Sequence, residues 1–284
     1  MEIVLDKKTI LSKAKSYIDR FKGKIFIVKY GGSNLDDNNV SQSILEDIVY
    51  LRQQGIAIVL VHGGGNNITR LMEKKGKKPV FIDGFRVTDE ETANIVDEAL
   101  TQVNTDIVNR LKALGIKAVS VISRQHGVIM AKKKKDILEG DFTGDVDSIN
   151  TQPIEEMLKK HVLAVVSPVG IGQDKKIYNI NADSAAAELA INLGAEKLIL
   201  LTNVKGIMKD NVNEGSLIPT VTEKEIEDMI KTGHINSGMI PKARASIKAL
   251  FGGVKKVHVI SGKIKHSLLI EVLTDGGVGT EIVI

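Results

Sequence analysis

Two lysines and one aspartate stand where a purely structural role would be unusual. Lys29 ends a β-rich run and is followed by Tyr30 and two glycines. Lys242 follows Pro241 at the predicted start of a helix, where the positive end of the helix dipole disfavours a cation. A bound anion would explain a lysine at that place. Asp183 begins another predicted helix, where its plain structural role would be an N-cap, and the small residues that follow it would let that helix pack closely against another element.

Two glycine clusters follow two consecutive predicted strands, and they are Gly31-Gly32 and Gly63-Gly64-Gly65. Glycine lets backbone N–H groups approach an anion closely, and a helix N-terminus adds positive potential. Neither cluster is a dinucleotide fingerprint, and the chain contains neither a P-loop nor a protein-kinase signature. One glycine pair would indicate a tight turn. Two clusters at neighbouring strand ends, one of them beside a lysine, favour phosphate binding.

Arg86 lies just before a predicted helix that Thr88 or Asp89 would cap. An arginine at such a place is either a surface charge or a bidentate ligand for a carboxylate. The 6 histidines show no H-E-x-x-H spacing, so we expect no zinc site. His62 adjoins a glycine cluster, but we expect it to be structural.

Composition narrows the class of protein. The 284 residues carry 39 Lys and Arg against 35 Asp and Glu, a net charge of +4, with 43% hydrophobic residues and no cysteine. This is the mixture of a folded globular protein without disulfides or thiolate chemistry. With no apolar run long enough for a bilayer and no signal peptide, we expect a cytoplasmic protein. Tryptophan is absent, and Lys132–Lys135 is the one dense basic run, so we expect a solvated loop there and no nucleic-acid partner.

Apolar runs that end in glycine alternate with helical patterns along the chain. Strands near 24–29, 57–61, 118–122, 162–166, 197–201 and 256–260 alternate with helices near 7–21, 40–54, 90–113, 183–193, 222–232 and 239–251, and with a short helix that begins near 153. The pattern predicts an α/β protein with a mostly parallel central sheet. Residues 124–150 are polar and alternating, which favours hairpins. Ligands of such sheets bind beyond the carboxyl ends of the strands.

Several short motifs stand in one order along nearly the whole chain: Lys29-Tyr30-Gly31-Gly32, Val61-His62-Gly63-Gly64-Gly65, Gly84-Phe85-Arg86-Val87-Thr88-Asp89, Tyr178-Asn179-Ile180-Asn181-Ala182-Asp183, Leu200-Leu201-Thr202-Asn203-Val204 and Gly238-Met239-Ile240-Pro241-Lys242. This order resembles that of the N-acetylglutamate kinases, within the wider amino acid kinase group. The resemblance implies a three-layer αβα sandwich in a single domain, 1–284. One lobe, 24–175, would bind acetylglutamate and form dimers, and the other, 176–284, would bind ATP.

The activity implied by this resemblance is ATP-dependent phosphorylation of the γ-carboxylate of N-acetyl-L-glutamate in arginine synthesis, with Mg²⁺ carried by ATP and no metal ligands from the protein. Lys29 and Lys242 would contact the transferring phosphoryl group, and Asp183 would hold both lysines. The residues implied to bind acetylglutamate are Gly64, Gly65, Arg86 and Asn181. Those implied to bind the nucleotide are Gly31, Gly32, Thr202, Asn203, Gly206, Gly238 and Met239.

The same resemblance extends to regulation. Members inhibited by arginine carry a helix before the first strand that links dimers into a hexamer, a trimer of dimers, and 7–21 would be that helix. The residues implied to contact arginine are Tyr17, His258, Glu271 and Gly279. Some members bind a PII-type signalling protein, which becomes a candidate partner here.

The chain departs from the family pattern at Ser33, Arg124, Asn203 and Ser237. The changes at Asn203 and Ser237 bear on nucleotide affinity, and those at Ser33 and Arg124 on the substrate side. Two alternatives therefore stay open. One is a related kinase acting on aminoadipate, aspartate or carbamate. The other is a weakly catalytic arginine-sensing protein of the same fold.

Overall fold

A computed structural model describes residues 14–31, 34–82, 84–135, 137–210, 213–235 and 238–284. Its helices are α1 Lys15–Phe21, α2 Asn38–Gln53, α3 Gly65–Lys74, α4 Glu90–Ala113, α5 Ser123–His126, α6 Gln152–Lys159, α7 Ala182–Asn192, α8 Glu223–Lys231, α9 Ile240–Phe251 and α10 Ser267–Leu273. Its strands are β1 Ile25–Tyr30, β2 Ala57–His62, β3 Phe81–Ile82, β4 Phe85–Arg86, β5 Ala118–Val121, β6 Ile129–Lys133, β7 Thr143–Ile149, β8 Leu163–Val166, β9 Val169–Gly172, β10 Ile177–Ile180, β11 Lys197–Thr202, β12 Thr220–Thr222, β13 Lys256–Ser261 and β14 Thr280–Val283.

The main sheet has the strand order β12-β14-β13-β11-β1-β2-β8-β5 in the described residues. Neighbouring strands are parallel except β13 and β14. The prediction of an α/β fold with a mostly parallel sheet is therefore confirmed. The antiparallel last strand, β14, was not predicted from the sequence.

Alternate residues of the central strands face opposite layers of helices, as the two-residue period of a strand requires. Ile27, Val59 and Leu198 belong to the core shared with α6, α7, α8 and α9. Val28, Leu60 and Ile199 belong to the core shared with α1, α2, α4 and α10. These side chains are fully buried, and each such burial contributes roughly 1.5–3 kcal/mol. The sheet is thus the middle of a three-layer sandwich.

The polar segment 124–150 forms the antiparallel pair β6–β7, as its alternating pattern predicts. Together with β9 and β10 these strands make a small closed sheet in the order β10-β7-β6-β9. A second hairpin, β3–β4, precedes α4 and carries Arg86 at its end. These short strands lie beside the main sheet, and the last of them, β10, ends directly before Asn181.

The strands that precede the glycine clusters end at the same edge of the sheet. β1 and β2 pair in register, with Tyr30 opposite His62, and β11 and β13 end with Thr202 opposite Ser261. The loops with the predicted functional residues therefore leave the sheet side by side. Of the predicted helix 7–21, the structure describes α1; the residues before Ala14 lie outside the described ranges. In the part of the chain that is described, no helix has the length and apolar character to cross a membrane.

Candidate active site

Lys29, Asp183 and Lys242 meet at the end of β1. The Nζ atom of Lys29 lies 3.0 Å from Oδ1 of Asp183, and the Nζ atom of Lys242 lies 2.6 Å from Oδ2. Lys29 is 7% exposed and Asp183 is 4% exposed. One buried carboxylate thus holds two ammonium groups, and the three groups together carry an excess positive charge.

The electrostatic environment keeps Asp183 ionised. Burial alone would raise the pKa of its carboxyl, but the two lysines outweigh burial and leave that pKa below the usual range. Burial lowers the pKa of Lys29, and the nearby Lys242 lowers it further, while Asp183 opposes both effects. A second anion placed between the two lysines would restore their charge balance. The site is therefore built to attract an anion.

Local helix geometry presents Asp183 to the lysines. Asn181, and not Asp183, is the N-cap of α7, because its side-chain oxygen accepts the N–H groups of Asp183 and Ser184. The interpretation of Asp183 as an N-cap is wrong, since the cap two residues earlier frees its carboxylate to face β1. Lys242 lies in the first turn of α9, and Asp183 supplies the anion that its place at a helix start requires.

The two glycine clusters touch each other beside Lys29. The N–H of Gly63 donates to the carbonyl of Tyr30 at 2.7 Å. A Cβ on Gly31 would lie 3.1 Å from the Cα of Gly63 and 3.2 Å from the Nζ of Lys29. A Cβ on Gly64 would lie 2.6 Å from the side chain of Leu100, which would have to shift to make room for it. Gly32, also predicted here, lies outside the described residues.

Arg86 is 6% exposed and lies against the start of α3. Its guanidinium donates to the carbonyl of Gly65 at 3.0 Å and to Oγ1 of Thr69 at 2.9 Å, and it stacks on Phe81 at 4.7 Å. The structure therefore places Arg86 beside the second glycine cluster, as expected for a substrate loop. Asn181 uses its side-chain oxygen to cap α7.

The residues predicted to bind the nucleotide lie beyond the ends of β11 and before α9. Thr202 ends β11, and its carbonyl accepts from the N–H of Gly262 at 2.9 Å and from Nδ2 of Asn34 at 3.2 Å. Gly206 follows in the same loop, where a Cβ would lie 2.5 Å from Oγ1 of Thr280. Asn203 lies in that loop next to Thr202, and Gly238 and Met239 precede α9, the latter as its N-cap. Within the described ranges no group of three or more His, Asp or Glu side chains could hold a metal ion.

A second buried cluster contains three of the four residues predicted to contact arginine. Nδ1 of His258 lies 2.7 Å from Glu271, whose other oxygen accepts the N–H of Gly279 at 3.0 Å. Nζ of Lys197, which the sequence analysis missed, lies 2.8 Å from Nε2 of His258. Tyr17, the fourth, bonds to Asp275 through its hydroxyl. Lys197 is a charged residue at the start of the apolar strand β11, and this unusual position could have indicated it in the sequence.

Sequence reasoning also missed two polar groups near the glycine clusters. Asn34 is 1% exposed and joins the loop after β1 to Thr202. Asn104, in the middle of α4, is fully buried and contacts His62. Each contact links residues far apart in the chain, so no local pattern could have indicated it.

Two of the four departures from the family pattern lie in the described residues. Arg124 forms an ion pair with Asp97 at 2.6 Å, so the arginine has a partner of its own on α4. Asn203 lies in the loop after β11. Ser33 and Ser237 lie outside the described residues.

Comparison with known proteins shows the family of the chain. A family model described as the amino acid kinase family matches residues 24–261. The chain belongs to this family. It is 44% identical to an acetylglutamate kinase of Methanocaldococcus jannaschii, with 98% of this chain and 97% of that protein covered. It is 42% identical to the acetylglutamate kinase of Aquifex aeolicus, with 99% of each covered.

Solved structures of the same fold include an N-acetylglutamate synthase from Neisseria gonorrhoeae in complex with coenzyme A and N-acetyl-glutamate. It superposes with a TM-score of 0.85 at 26% identity over 99% of this chain. The chain spans 64% of that synthase. The same synthase in complex with L-arginine superposes with a TM-score of 0.82 at 25% identity, covering 98% of this chain and 65% of the synthase. A carbamate kinase from Giardia lamblia shares the fold at 18% identity, with a TM-score of 0.69, covering 92% of this chain and 98% of that kinase.

Proposed function

We propose that this chain transfers the γ-phosphoryl group of ATP to the γ-carboxylate of N-acetyl-L-glutamate, as a step in arginine synthesis. One observation carries the proposal: Asp183 holds Lys29 and Lys242 together beside the two glycine clusters. The acetylglutamate kinases at 44% and 42% identity over nearly the whole chain support the choice of substrate.

The chemistry needs alignment and charge stabilisation more than proton transfer. The attacking carboxylate is already an anion, so a new O–P bond forms without a general base while the bond to the leaving ADP oxygen breaks. Lys29 and Lys242 stabilise the negative charge on the phosphoryl oxygens in the transition state. Asp183 fixes the two ammonium groups and keeps them apart. Arg86 and Asn181 hold the acetylglutamate in line.

ATP would lie between the ends of β1 and β11 and the start of α9. Small residues there leave room for the phosphates and the ribose, and these are Gly31, Thr202, Gly206 and Gly238. Asn203 and Met239 lie beside them. Mg²⁺ would arrive on the phosphates of ATP and neutralise part of their charge.

The test is ADP release in a coupled assay with and without N-acetyl-L-glutamate. Hydroxylamine traps the acyl phosphate product, so the same reaction mixture reports both products. We expect ADP and hydroxamate to appear together and only with acetylglutamate. ADP release that ignores acetylglutamate, or that is faster with aminoadipate, aspartate or carbamate, would establish the related kinase instead.

We also propose that the enzyme is a hexamer and that L-arginine inhibits it by binding at Lys197, His258, Glu271 and Gly279, with Tyr17 closing the site from α1. A buried carboxylate suits a guanidinium, and burial keeps a ligand there out of water. The arginine complex of the related synthase supports this choice of effector. Inhibition curves and light scattering test it. Activity that does not change with arginine, or a dimer in place of the hexamer, would contradict it.

The two-lobe organisation, with 24–175 for acetylglutamate and dimers and 176–284 for ATP, is part of the same proposal. A cytoplasmic location is expected from the composition, whereas a PII-type partner follows only from the family resemblance. Co-purification with a PII protein would test the second.

A further inference from the structure

His62 is a buried histidine that the proposed reaction does not use, and it lies directly before the second glycine cluster. Its ring is fully buried at the end of β2. Nδ1 lies 2.8 Å from the carbonyl oxygen of Gly63, and Nε2 lies 3.1 Å from Nδ2 of Asn104. Both ring nitrogens therefore have partners, and one partner is the glycine cluster itself.

The partners fix which ring nitrogen carries the proton. The amide nitrogen of Asn104 can only donate, and its second hydrogen goes to the carbonyl of Val165 at 2.8 Å. Nε2 of His62 must therefore accept. The carbonyl of Gly63 can only accept, so Nδ1 must donate to it. Two independent arguments give the same neutral tautomer.

Holding the Gly63 carbonyl also orients the next amide. The described peptide bonds are trans, and in a trans peptide the C=O and the following N–H point in opposite directions. With the carbonyl of Gly63 turned towards the buried His62 ring, the N–H of Gly64 points away from it. That N–H has no acceptor among the described residues.

The same short segment is fixed against Lys29. The N–H of Gly63 bonds to Tyr30, one residue after Lys29, and a Cβ on Gly31 would touch both Gly63 and the Lys29 Nζ atom. We propose that His62, held in one tautomer by Asn104, is a positioning residue that aims the N–H of Gly64 at the phosphoryl group during transfer. This rests on the proposed kinase function. Burial lowers the pKa of His62 to about 4, so the ring stays neutral at pH 7.

The first test measures the wild-type chain and uses a variant only to assign the signals. Nitrogen-15 NMR of the histidine rings, assigned with His62→Asn, reports the tautomer of His62 in the folded wild-type chain. We expect a neutral ring protonated at Nδ1 between pH 5.5 and 8. A ring protonated at Nε2 would overturn the inference, and this measurement stands even if the chain releases no ADP with acetylglutamate, an outcome that would reject the proposed function separately.

The second test compares His62→Asn with His62→Leu. The amide nitrogen of asparagine occupies the place of Nδ1 and keeps the donor to Gly63, whereas leucine removes it. Because a misaimed donor affects the transition state more than the ground state, we expect kcat of His62→Leu to fall by about tenfold or more, with each KM within about threefold. His62→Asn should recover most of that loss.

Asn104→Ala provides a variant in case His62→Leu does not fold. It frees Nε2, so the ring can change tautomer and release the Gly63 carbonyl. We expect kcat to fall in the same direction, together with NMR signals from both tautomers. Equal losses in His62→Asn and His62→Leu, losses confined to KM, or full activity in Asn104→Ala with a mixed tautomer would each overturn the inference.

Discussion

The main sheet carries two buried charged clusters, and they differ in position and in charge balance. At the carboxyl ends of the strands, two lysines share Asp183, which leaves an excess positive charge. Near the amino ends of the strands, where β11 begins, Glu271 accepts hydrogen bonds from His258 and from two backbone N–H groups. Lys197 donates a hydrogen bond to His258. The first cluster suits an anion that moves. The second has an internal partner for each charge.

The charge of the second cluster depends on pH. Burial, together with Lys256, lowers the pKa of Lys197 to about 8. Burial lowers the pKa of His258 as well, whereas His258 and the backbone donors leave the pKa of Glu271 low although burial would raise it. Above pH 8 the cluster therefore becomes anionic and favours a cationic ligand. The two clusters thus favour ligands of opposite charge.

The largest expected effect comes from removing a lysine of the first cluster. Lys29→Ala leaves the transferring phosphoryl group with one ammonium group, so we expect kcat to fall by ~10²-fold or more, as for loss of one oxyanion donor. Lys242→Ala should behave in the same way. Coupled ADP assays at saturating substrates measure the change.

Arginine binding provides the control for these variants. Because the two clusters are separate, calorimetry should show Lys29→Ala binding arginine as the wild type does. Turnover of Lys29→Ala within a few fold of wild type would show that the first cluster is not the site of phosphoryl transfer.

The second prediction concerns pH and the histidine beside the first cluster. Because the pKa of His62 is about 4 when folded and 6.5 when unfolded, the unfolded chain binds a proton first as the pH falls. The stability from His62 is present above pH 6.5 and is lost between pH 6.5 and 4, by about 2.5 kcal/mol at pH 4.5. Urea unfolding of wild type and His62→Asn at pH 7 and 4.5 measures it. An equal loss of stability in both proteins would contradict the assignment.

The sequence was most informative where a pattern is local. The helix predicted over 90–113 is α4, Glu90–Ala113, because its apolar period is long and Asp89 caps it. The continuous apolar runs are buried parallel strands, as predicted, because strands of a parallel sheet are covered on both faces. By contrast, β12 and β14 have three and four residues, and their pairing partners lie far away in the chain. Local periodicity cannot identify such strands.

The same division applies to the site. Lys29, Asp183 and Lys242 can be recognised in the sequence because each lies at the end of a strand or at the start of a helix. Lys242 is also a cation at a helix start, where the helix dipole disfavours it. The partners of His62 and His258 cannot be recognised in this way, since Asn104 lies 42 residues from His62 and Lys197 lies 61 residues from His258. Only the fold brings them together. The sequence therefore indicates the groups proposed to react, but not the distant groups that position the histidines.

The third prediction concerns the carboxylate of the second cluster. Glu271→Gln keeps the size of the side chain but removes the carboxylate that a guanidinium would bind. We expect the arginine concentration for half-inhibition to rise by about tenfold or more, since charge-assisted hydrogen bonds are worth roughly 1.5–3 kcal/mol. Activity measured across a range of arginine concentrations tests this. An unchanged inhibition curve would place the effector elsewhere.

The smallest expected effect is at Arg124, a departure from the family pattern that lies in neither cluster. Its side chain is 54% exposed, so its ion pair with Asp97 contributes at most about 1 kcal/mol. Arg124→Gly should lower the free energy of unfolding by that amount or less, and KM for acetylglutamate should change less than twofold. Burial already raises the pKa of Asp97, so without Arg124 this carboxyl should titrate higher still. A large rise in KM would instead give Arg124 a part in the substrate loop, and would connect α4 to the cluster that Lys29 and Asp183 define.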